Sequence, residues 1–381
     1  MENKNLDKTA VDEESINTKN KEKISLKDFN FAELEKFVRK QGWKKFRAKQ
    51  IAKWLYNKKV ASYDEMTDLS KDIRNYLKEN TELNSLELVS YEKSNIDGSI
   101  KFLWKLKDGQ TIESVFIPER NHNTLCVSTQ VGCAVGCKFC FTTKDGLIRN
   151  LTTAEIVDQY IQSQRFVGLE PEKRISNIVF MGMGEPLANY DNVKKAVQIF
   201  TDDRMIGLSN RKITISSSGI LHQIKRMYED KSFPQVRLAI SLNAPDQETR
   251  EYLMPISETN KLEDLMKLLN SLPMKTGYRI MLEYVLIKDV NDKPIHAHRL
   301  AKLIGKNKKR YKVNLIPFNP YPGSEFKRPE KDRVEEFQKI LWQYNIGAFI
   351  RWSKGQDISA ACGQLRKKEA ENLIKLNANF K

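Results

Sequence analysis

The chain is short of cysteine and shorter of histidine: five and four, respectively, in 381 residues. So few cysteines, and an odd number of them, exclude a disulfide scaffold. The histidines, His122, His222, His296 and His298, fall at no spacing that suits a metal site. Long apolar runs are missing too. No stretch reaches the roughly 18 to 20 apolar residues of a membrane span, so no membrane partner is expected. Residues 1–26 are dominated by Asn, Lys, Asp and Glu. They hold no apolar signal-peptide segment, which argues against secretion and for a disordered tail. Acidic residues are the minority charge, 49 against 65 Lys and Arg, for a net +16. That excess favours a polyanionic partner. A chain with this cysteine usage is expected in a reducing compartment, the cytoplasm.

What is present divides into segments. After the tail, residues 27–85 read as a small helical module. Asn30 can cap a helix whose Leu34, Phe37 and Val38 share a face, and Gly42 stops it. Residues 86–123 form a strand-rich connector with a turn at Asp108-Gly109. From Thr124 to Leu365, short β-branched runs such as Ile175–Phe180 and Lys312–Ile316 alternate with helical stretches such as Thr153–Phe166 and Pro294–Ile304. Such alternation predicts an α/β fold with a parallel sheet, a barrel or partial barrel, and a site at the C-terminal ends of its strands. Residues 366–381 read as a basic tail.

The cysteines carry the chemistry. Cys133, Cys137 and Cys140 follow the first strand of the alternating region at a C-x-x-x-C-x-x-C spacing, beside Gly132 and Gly136. Glycines let a loop wrap tightly enough for three thiolates to converge. A structural zinc site normally takes four protein ligands, and a fourth is missing here. Three thiolates suit a four-iron cluster with one iron left open to substrate. The alternative from another class is a non-catalytic, zinc-stabilised RNA-binding protein.

On this spacing the chain resembles the radical S-adenosylmethionine (SAM) enzymes. Longer segments resemble the RlmN/Cfr family of RNA adenine methyltransferases, and its RlmN branch in particular. They are Glu113–Pro118, Leu125–Cys133, Phe180–Asn189, Val313–Pro320 and Asp357–Leu365. The resemblance implies a radical-SAM partial (β/α) barrel with an N-terminal helical accessory domain. It implies a [4Fe-4S] cluster on Cys133, Cys137 and Cys140, with SAM on the open iron. The implied reaction is methylation of adenine carbon 2 in 23S rRNA, at the peptidyl-transferase centre, and in tRNA, 3′ of the anticodon. A monomer served by a flavodoxin-like electron donor is expected. The other branch methylates carbon 8, which gives antibiotic resistance, with the same cysteines. Pro186 and Ile117-Pro118 fit the RlmN branch, whereas Ala188 fits the other.

Carbon 2 of adenine is electron-poor, so direct attack on the SAM methyl group is implausible. The family parks a methyl on a cysteine, here Cys362, using a first SAM. A 5′-deoxyadenosyl radical from a second SAM activates that methyl for addition to the ring. By resemblance Glu113 is the proton acceptor and Cys126 the resolving thiol, leaving a Cys126–Cys362 disulfide. The implied SAM contacts are Gly184, Glu185, Ser216, Ser241, Leu242, Asn243 and Asn319. One departure stands out: the family has Ser-Leu-His where this chain has Ser241-Leu242-Asn243. Asparagine donates and accepts hydrogen bonds but carries no proton.

The residues themselves leave blander alternatives open. Cys362 sits in a small-residue loop suited to close approach, or it is a buried small hydrophobe. Cys126, at an alternate strand position, suits core packing. Glu113 shares a strand face with Val115 and Ile117, which predicts an apolar environment that raises its proton affinity; alternatively it is an edge-strand glutamate in water. Lys44, Lys45, Arg47, Lys49, Lys53, Lys58 and Lys59 are interleaved with Trp43, Phe46, Trp54 and Tyr56. They read as an RNA surface with stacking aromatics, or as a solvated helix with aromatic core anchors. A second patch, Lys306, Lys308, Lys309, Arg310 and Lys312, is placed opposite the catalytic rim.

Overall fold

The computed structural model describes residues 23–366. Its strands are β1 (Ile24–Ser25), β2 (Thr81–Glu82), β3 (Glu87–Lys93), β4 (Ile100–Lys105), β5 (Thr111–Glu119), β6 (His122–Cys126) and β7 (Gln130–Gly132). They continue as β8 (Leu147–Asn150), β9 (Ile175–Phe180), β10 (Ile213–Ser217), β11 (Arg237–Ser241), β12 (Ile280–Leu286), β13 (Tyr311–Pro317) and β14 (Ala348–Ile350). Ten of them form one sheet, ordered β14-β13-β12-β11-β10-β9-β6-β5-β4-β3. Strands β9 to β14 run parallel to one another and to β6. Strands β3 to β6 are an antiparallel meander. The parallel part is the partial barrel expected from the alternating runs.

Strand β12 explains why that part reads as continuous apolar sequence. Ile280, Leu282, Tyr284 and Leu286 are fully buried, and Tyr284 packs on Phe337 of helix Lys331–Gln343. The alternate residues Glu283 and Val285 face the barrel interior. Both faces are covered, as in parallel sheets generally. Two helices, Leu221–Glu229 and Gln247–Leu253, were not foreseen. The segment expected as a connector proves to be the antiparallel part of the same sheet, and the boundary at 123/124 cuts through β6. Among the described residues no helix is long and apolar enough to cross a membrane.

The tail reading of residues 1–26 needs correction at its end; residues 1–22 lie outside the described residues. Ile24 pairs with Thr81 in parallel, and Leu26 is fully buried. Hydrogen bonding to a distant strand, which no local pattern reveals, orders this stretch. Downstream, Asn30 and Glu33 form the capping box of helix Phe31–Lys40, whose Leu34, Phe37 and Val38 are buried as anticipated. The residue expected to open the basic C-terminal tail also belongs to the fold: Arg366 pairs with Asp145 at 2.9 Å. Residues 367–381 lie outside the described residues.

The N-terminal module is fastened to the barrel by a buried ion pair, Lys27 with Asp158 of helix Thr153–Val167. Asp158 also accepts from the backbone N–H groups of Ser85, at 2.7 Å, and Leu86, at 3.2 Å. Breaking a buried pair strands the remaining charge. Lys27→Met should therefore cost about 3 to 5 kcal/mol, measured by urea denaturation. A loss below about 1 kcal/mol would mean that the backbone donors alone satisfy Asp158.

Candidate active site

The cysteine loop leaves the end of β7 and returns through β8, which pairs with it. Gly132, at φ +76°, closes this turn. A Cβ there would meet the Gly146 carbonyl oxygen at 1.9 Å, so only glycine fits. The adjacent Cys133 N–H donates to that same oxygen at 2.8 Å. Cys133, Cys137 and Cys140 line one cavity at the C-terminal ends of the barrel strands.

Among the described residues, no three Cys, His, Asp or Glu side chains converge as ligands of a single metal ion. A four-iron cluster asks for something different, one thiolate on each of three irons. Burial pushes Cys133 up to about 12 and raises Cys137 and Cys140 as well. A closed zinc site also asks for a fourth protein ligand, which these three thiols lack. The donor set therefore fits a cluster with three cysteine ligands and does not fit a closed zinc site.

Cys362, remote in sequence, opens on the same cavity. Several bonds hold its loop there. Asn319 Nδ2 donates to the Cys362 carbonyl at 3.2 Å. The Phe141 N–H donates to the Gly363 carbonyl at 2.7 Å, and Thr142 Oγ1 to the Leu365 carbonyl at 2.6 Å. The loop is thus tied both to the cysteine loop and to the end of β13. Asn319 is itself fixed, its Oδ1 accepting from Arg328 Nη2 and Ser353 Oγ, both at 2.6 Å. Cys362 is exposed, which removes the reading of a buried hydrophobe.

Cys126 ends β6 and is buried, yet it lies within electrostatic reach of Cys362. Burial pushes its thiol up to about 12, the nearby Cys362 adds to the shift, and the Arg351 guanidinium opposes it. All five cysteines are free, so no disulfide joins this pair here. Iodoacetamide at pH 8 should alkylate Cys362 at least about tenfold faster than Cys126, since thiolate is the nucleophile. Peptide mass spectrometry reads the ratio, and equal labelling would contradict a Cys126 held protonated.

Glu113 is buried, but its surroundings are not the apolar ones anticipated. Lys101 Nζ stands 3.8 Å from Oε1, and the Arg366 N–H donates to Oε2 at 3.0 Å. The meander causes this, because Leu103 pairs with Glu113 and Lys101 with Val115 across β4 and β5. Such partners suit an ionised carboxylate. Its main chain is anchored too, the carbonyl accepting from Ser128 Oγ at 2.6 Å.

Of the residues expected to contact SAM, Gly184, Glu185, Ser216, Ser241, Asn243 and Asn319 line the cavity. Leu242 does not; its side chain is fully buried in the core. A Cβ on Gly184, at φ +98°, would lie 2.5 Å from Gln130 Cβ. Glu185 already accepts from the N–H groups of Leu187, at 3.1 Å, and Ser218, at 2.7 Å. Burial raises its carboxyl above the usual range and these donors oppose that. Asn243 sits at φ +59°, a region asparagine tolerates. Its Oδ1 accepts from the Val285 N–H at 2.9 Å and its Nδ2 faces Met254 Sδ at 3.2 Å. In this chain the residue at the departure is a structural tie.

Three residues escaped the sequence reading. Arg250 is fully buried and joins the loops after β10 and β11. Arg351 and Glu283 face each other electrostatically inside the barrel. Strand alternation could have pointed Glu283 inward; nothing local marks the two arginines. The basic segment is partly as anticipated: Lys44, Lys45, Lys49, Lys53 and Lys58 are exposed. Of its aromatics only Phe46 is exposed, whereas Tyr56 is core and Trp43 and Trp54 pack against it. The patch at Lys306–Lys312 lies at the start of β13, away from the cavity.

Comparison with known proteins agrees with this geometry. Residues 24–83 match the family profile described as the ribosomal RNA large subunit methyltransferase N-terminal domain, and residues 127–301 match the radical SAM superfamily. The chain is 52% identical to a protein of Aquifex aeolicus named probable dual-specificity RNA methyltransferase RlmN. That match spans 89% of this chain and 96% of the relative. It is 44% identical to the dual-specificity RNA methyltransferase RlmN of Syntrophobacter fumaroxidans, over 90% of this chain and 98% of that one. The crystal structure of a radical SAM methyltransferase from Sphaerobacter thermophilus superposes with a TM-score of 0.85. Its identity is 40%, and it covers 90% of this chain and 99% of the other.

Proposed function

The chain belongs to the RlmN family of radical SAM RNA methyltransferases, and from that membership we propose that it methylates carbon 2 of adenine in 23S rRNA and in tRNA. The observation that carries this reading is the convergence of Cys362, from the far end of the chain, on the cavity lined by Cys133, Cys137 and Cys140. A methyl acceptor and a site for a SAM-cleaving cluster then share one chamber.

Cys133, Cys137 and Cys140 would hold the [4Fe-4S] cluster. When bound, it supplies the electron that cleaves SAM to a 5′-deoxyadenosyl radical. The chain's own groups do the rest. The exposed Cys362 Sγ takes a methyl group from a first SAM by displacement and carries it at the cavity mouth. Small neighbours, Ala360, Ala361 and Gly363, let the target base approach. Asn319 keeps that loop seated. The Glu113 carboxylate, with Lys101 offsetting its charge, takes the proton lost from the ring. Once the transferred carbon is bonded to the ring, Cys126 Sγ attacks the Cys362 sulfur and breaks its bond to that carbon, which takes up a proton as the methylated base leaves. A transient Cys126–Cys362 disulfide remains to be reduced, and an external, flavodoxin-like donor supplies electrons to the reaction. Glu185 and Ser216 contribute polar groups for SAM. The exposed lysines of the N-terminal module meet RNA phosphates. The enzyme acts as a cytoplasmic monomer.

The test is nucleoside mass spectrometry on 23S rRNA and tRNA treated with reconstituted protein, SAM and reductant. The reading expects 2-methyladenosine in both RNAs. A product with the methyl on carbon 8 would transfer the chain to the other branch of the family. Absence of both products while SAM is cleaved would discard the substrate and keep the fold. Anaerobically purified protein should be brown with iron and sulfide, and Cys137→Ala should remove the colour.

A further inference from the structure

Within the barrel, Glu283 has no role in the chemistry described above. Its side chain projects from β12 into the cavity and is only 5% exposed. Oε1 accepts from Asn314 Nδ2 at 3.0 Å. Oε2 is buried and meets no hydrogen-bond donor among the described residues. A buried acceptor without a donor is costly and rare in native interiors. We propose that Glu283 is the carboxylate that recognises the adenosine unit of a bound nucleoside ligand, its Oε2 accepting from a neutral amine or hydroxyl. This inference rests on the proposed function, which brings two adenosines to the cavity, that of SAM and that of the RNA target.

The surroundings specify the donor's chemistry. Arg351 follows β14, with Nη1 4.0 Å from Met181 Sδ, and is within electrostatic reach of Glu283. Its charge acts against the desolvation that raises the Glu283 carboxyl, so part of the carboxylate's charge is met within the protein and a neutral donor suits the site better than a second cation. A phosphate would be repelled by an acceptor-only oxygen. What remains is an uncharged donor. Ser241 stands beside Glu283 in register on the adjacent strand, and Ser241 and Ser216 line the same wall. Two hydroxyls and a carboxylate along one wall match the ribose hydroxyls and exocyclic amine of adenosine. A carboxylate on a ribose hydroxyl is the contact that dinucleotide-binding folds use.

The experiment measures binding rather than turnover. S-adenosylhomocysteine is titrated calorimetrically into the wild type, Glu283→Gln and Glu283→Ala. An anticodon stem-loop RNA is titrated in parallel, once with the target adenosine and once with inosine at that position. Glutamine keeps an oxygen for Asn314 and turns an N–H₂ toward the ligand, donor against donor. Its ligand-free melting temperature should stay unchanged or rise, because a buried charge is gone.

If SAM is the source, both variants lose S-adenosylhomocysteine affinity by at least about tenfold while RNA affinity is kept. If the RNA adenosine is the source, S-adenosylhomocysteine affinity is kept and the preference for adenosine over inosine disappears. Both affinities staying within about twofold of a wild type that binds overturns the inference and leaves the proposed function standing. A wild type that binds neither probe overturns the proposed function, and the inference with it. Glu283→Ala guards against a clash peculiar to glutamine, since it removes the acceptor without adding a donor.

Discussion

Cys362→Ala should abolish methylation of RNA, with turnover falling by at least about 10³-fold, the scale for removal of a covalent acceptor. Among the described residues no other cysteine is free for the methyl under the proposed function: Cys126 is buried with its thiol pushed up to about 12, and that proposal gives Cys133, Cys137 and Cys140 to the cluster. The scaffold should survive. Backbone and neighbouring groups hold the loop, through the carbonyls of Cys362, Gly363 and Leu365, and the lost thiol is exposed. Stability should therefore change by no more than about 0.5 kcal/mol. Liquid chromatography of digested RNA reads the first effect and thermal melting the second. Turnover above a tenth of wild type would remove Cys362 from the mechanism. Cys126→Ala should fail differently, because the base has no thiol to release it. A covalent protein–RNA species should then accumulate and be visible on a denaturing gel.

Arg250→Leu should cost about 3 to 5 kcal/mol of stability, on the scale of Lys27→Met, because it empties several buried bonds. The guanidinium is fully buried, and burial lowers it to about 10. It donates to the carbonyls of Ser218 at 2.7 Å, Leu242 at 3.2 Å and Ser241 at 3.3 Å, and to Ser257 Oγ. Leucine fills the volume but strands those acceptors in the interior. The same substitution uncouples the loop after β10 from the loop after β11, both of which line the cavity, so S-adenosylhomocysteine binding should weaken as well. Arg250→Lys should recover little, since an ammonium cannot reproduce the planar fork. Guanidinium denaturation and calorimetry measure the two effects. A cost under about 1 kcal/mol would mean that water replaces the guanidinium without penalty.

Glu113 shows where reading from sequence stops. Alternation correctly placed it on one face with Val115 and Ile117, and it is buried. The pairing of β4 with β5 then brings Lys101 to its carboxylate, and register is a property of two strands together. The aromatic residues near the basic segment make the same point. Spacing could not separate Phe46, which is exposed, from Tyr56, which is core, because both fates are compatible with one helical stretch. Leu242 was carried over with its neighbours as a contact, but just past the end of β11 its side chain packs into the core and does not line the cavity.

By itself the sequence determined whatever depends on neighbours a few positions apart. That covers the cysteine spacing with its tight glycine, the Asn30–Glu33 cap, the turn at Asp108-Gly109 and the apolar runs of strands covered on both faces. Local sterics, capping and period act over such distances and leave a pattern in the chain. The tertiary structure decided which distant groups meet: Cys362 with the cysteine loop, Arg351 with Glu283, Lys27 with Asp158, Arg250 with the ends of β10 and β11. Those meetings follow from strand order and from loops crossing the barrel mouth. Their physical reason is that strand order and loop crossings join groups far apart in the chain, and burial then holds the charged pairs together where water is excluded.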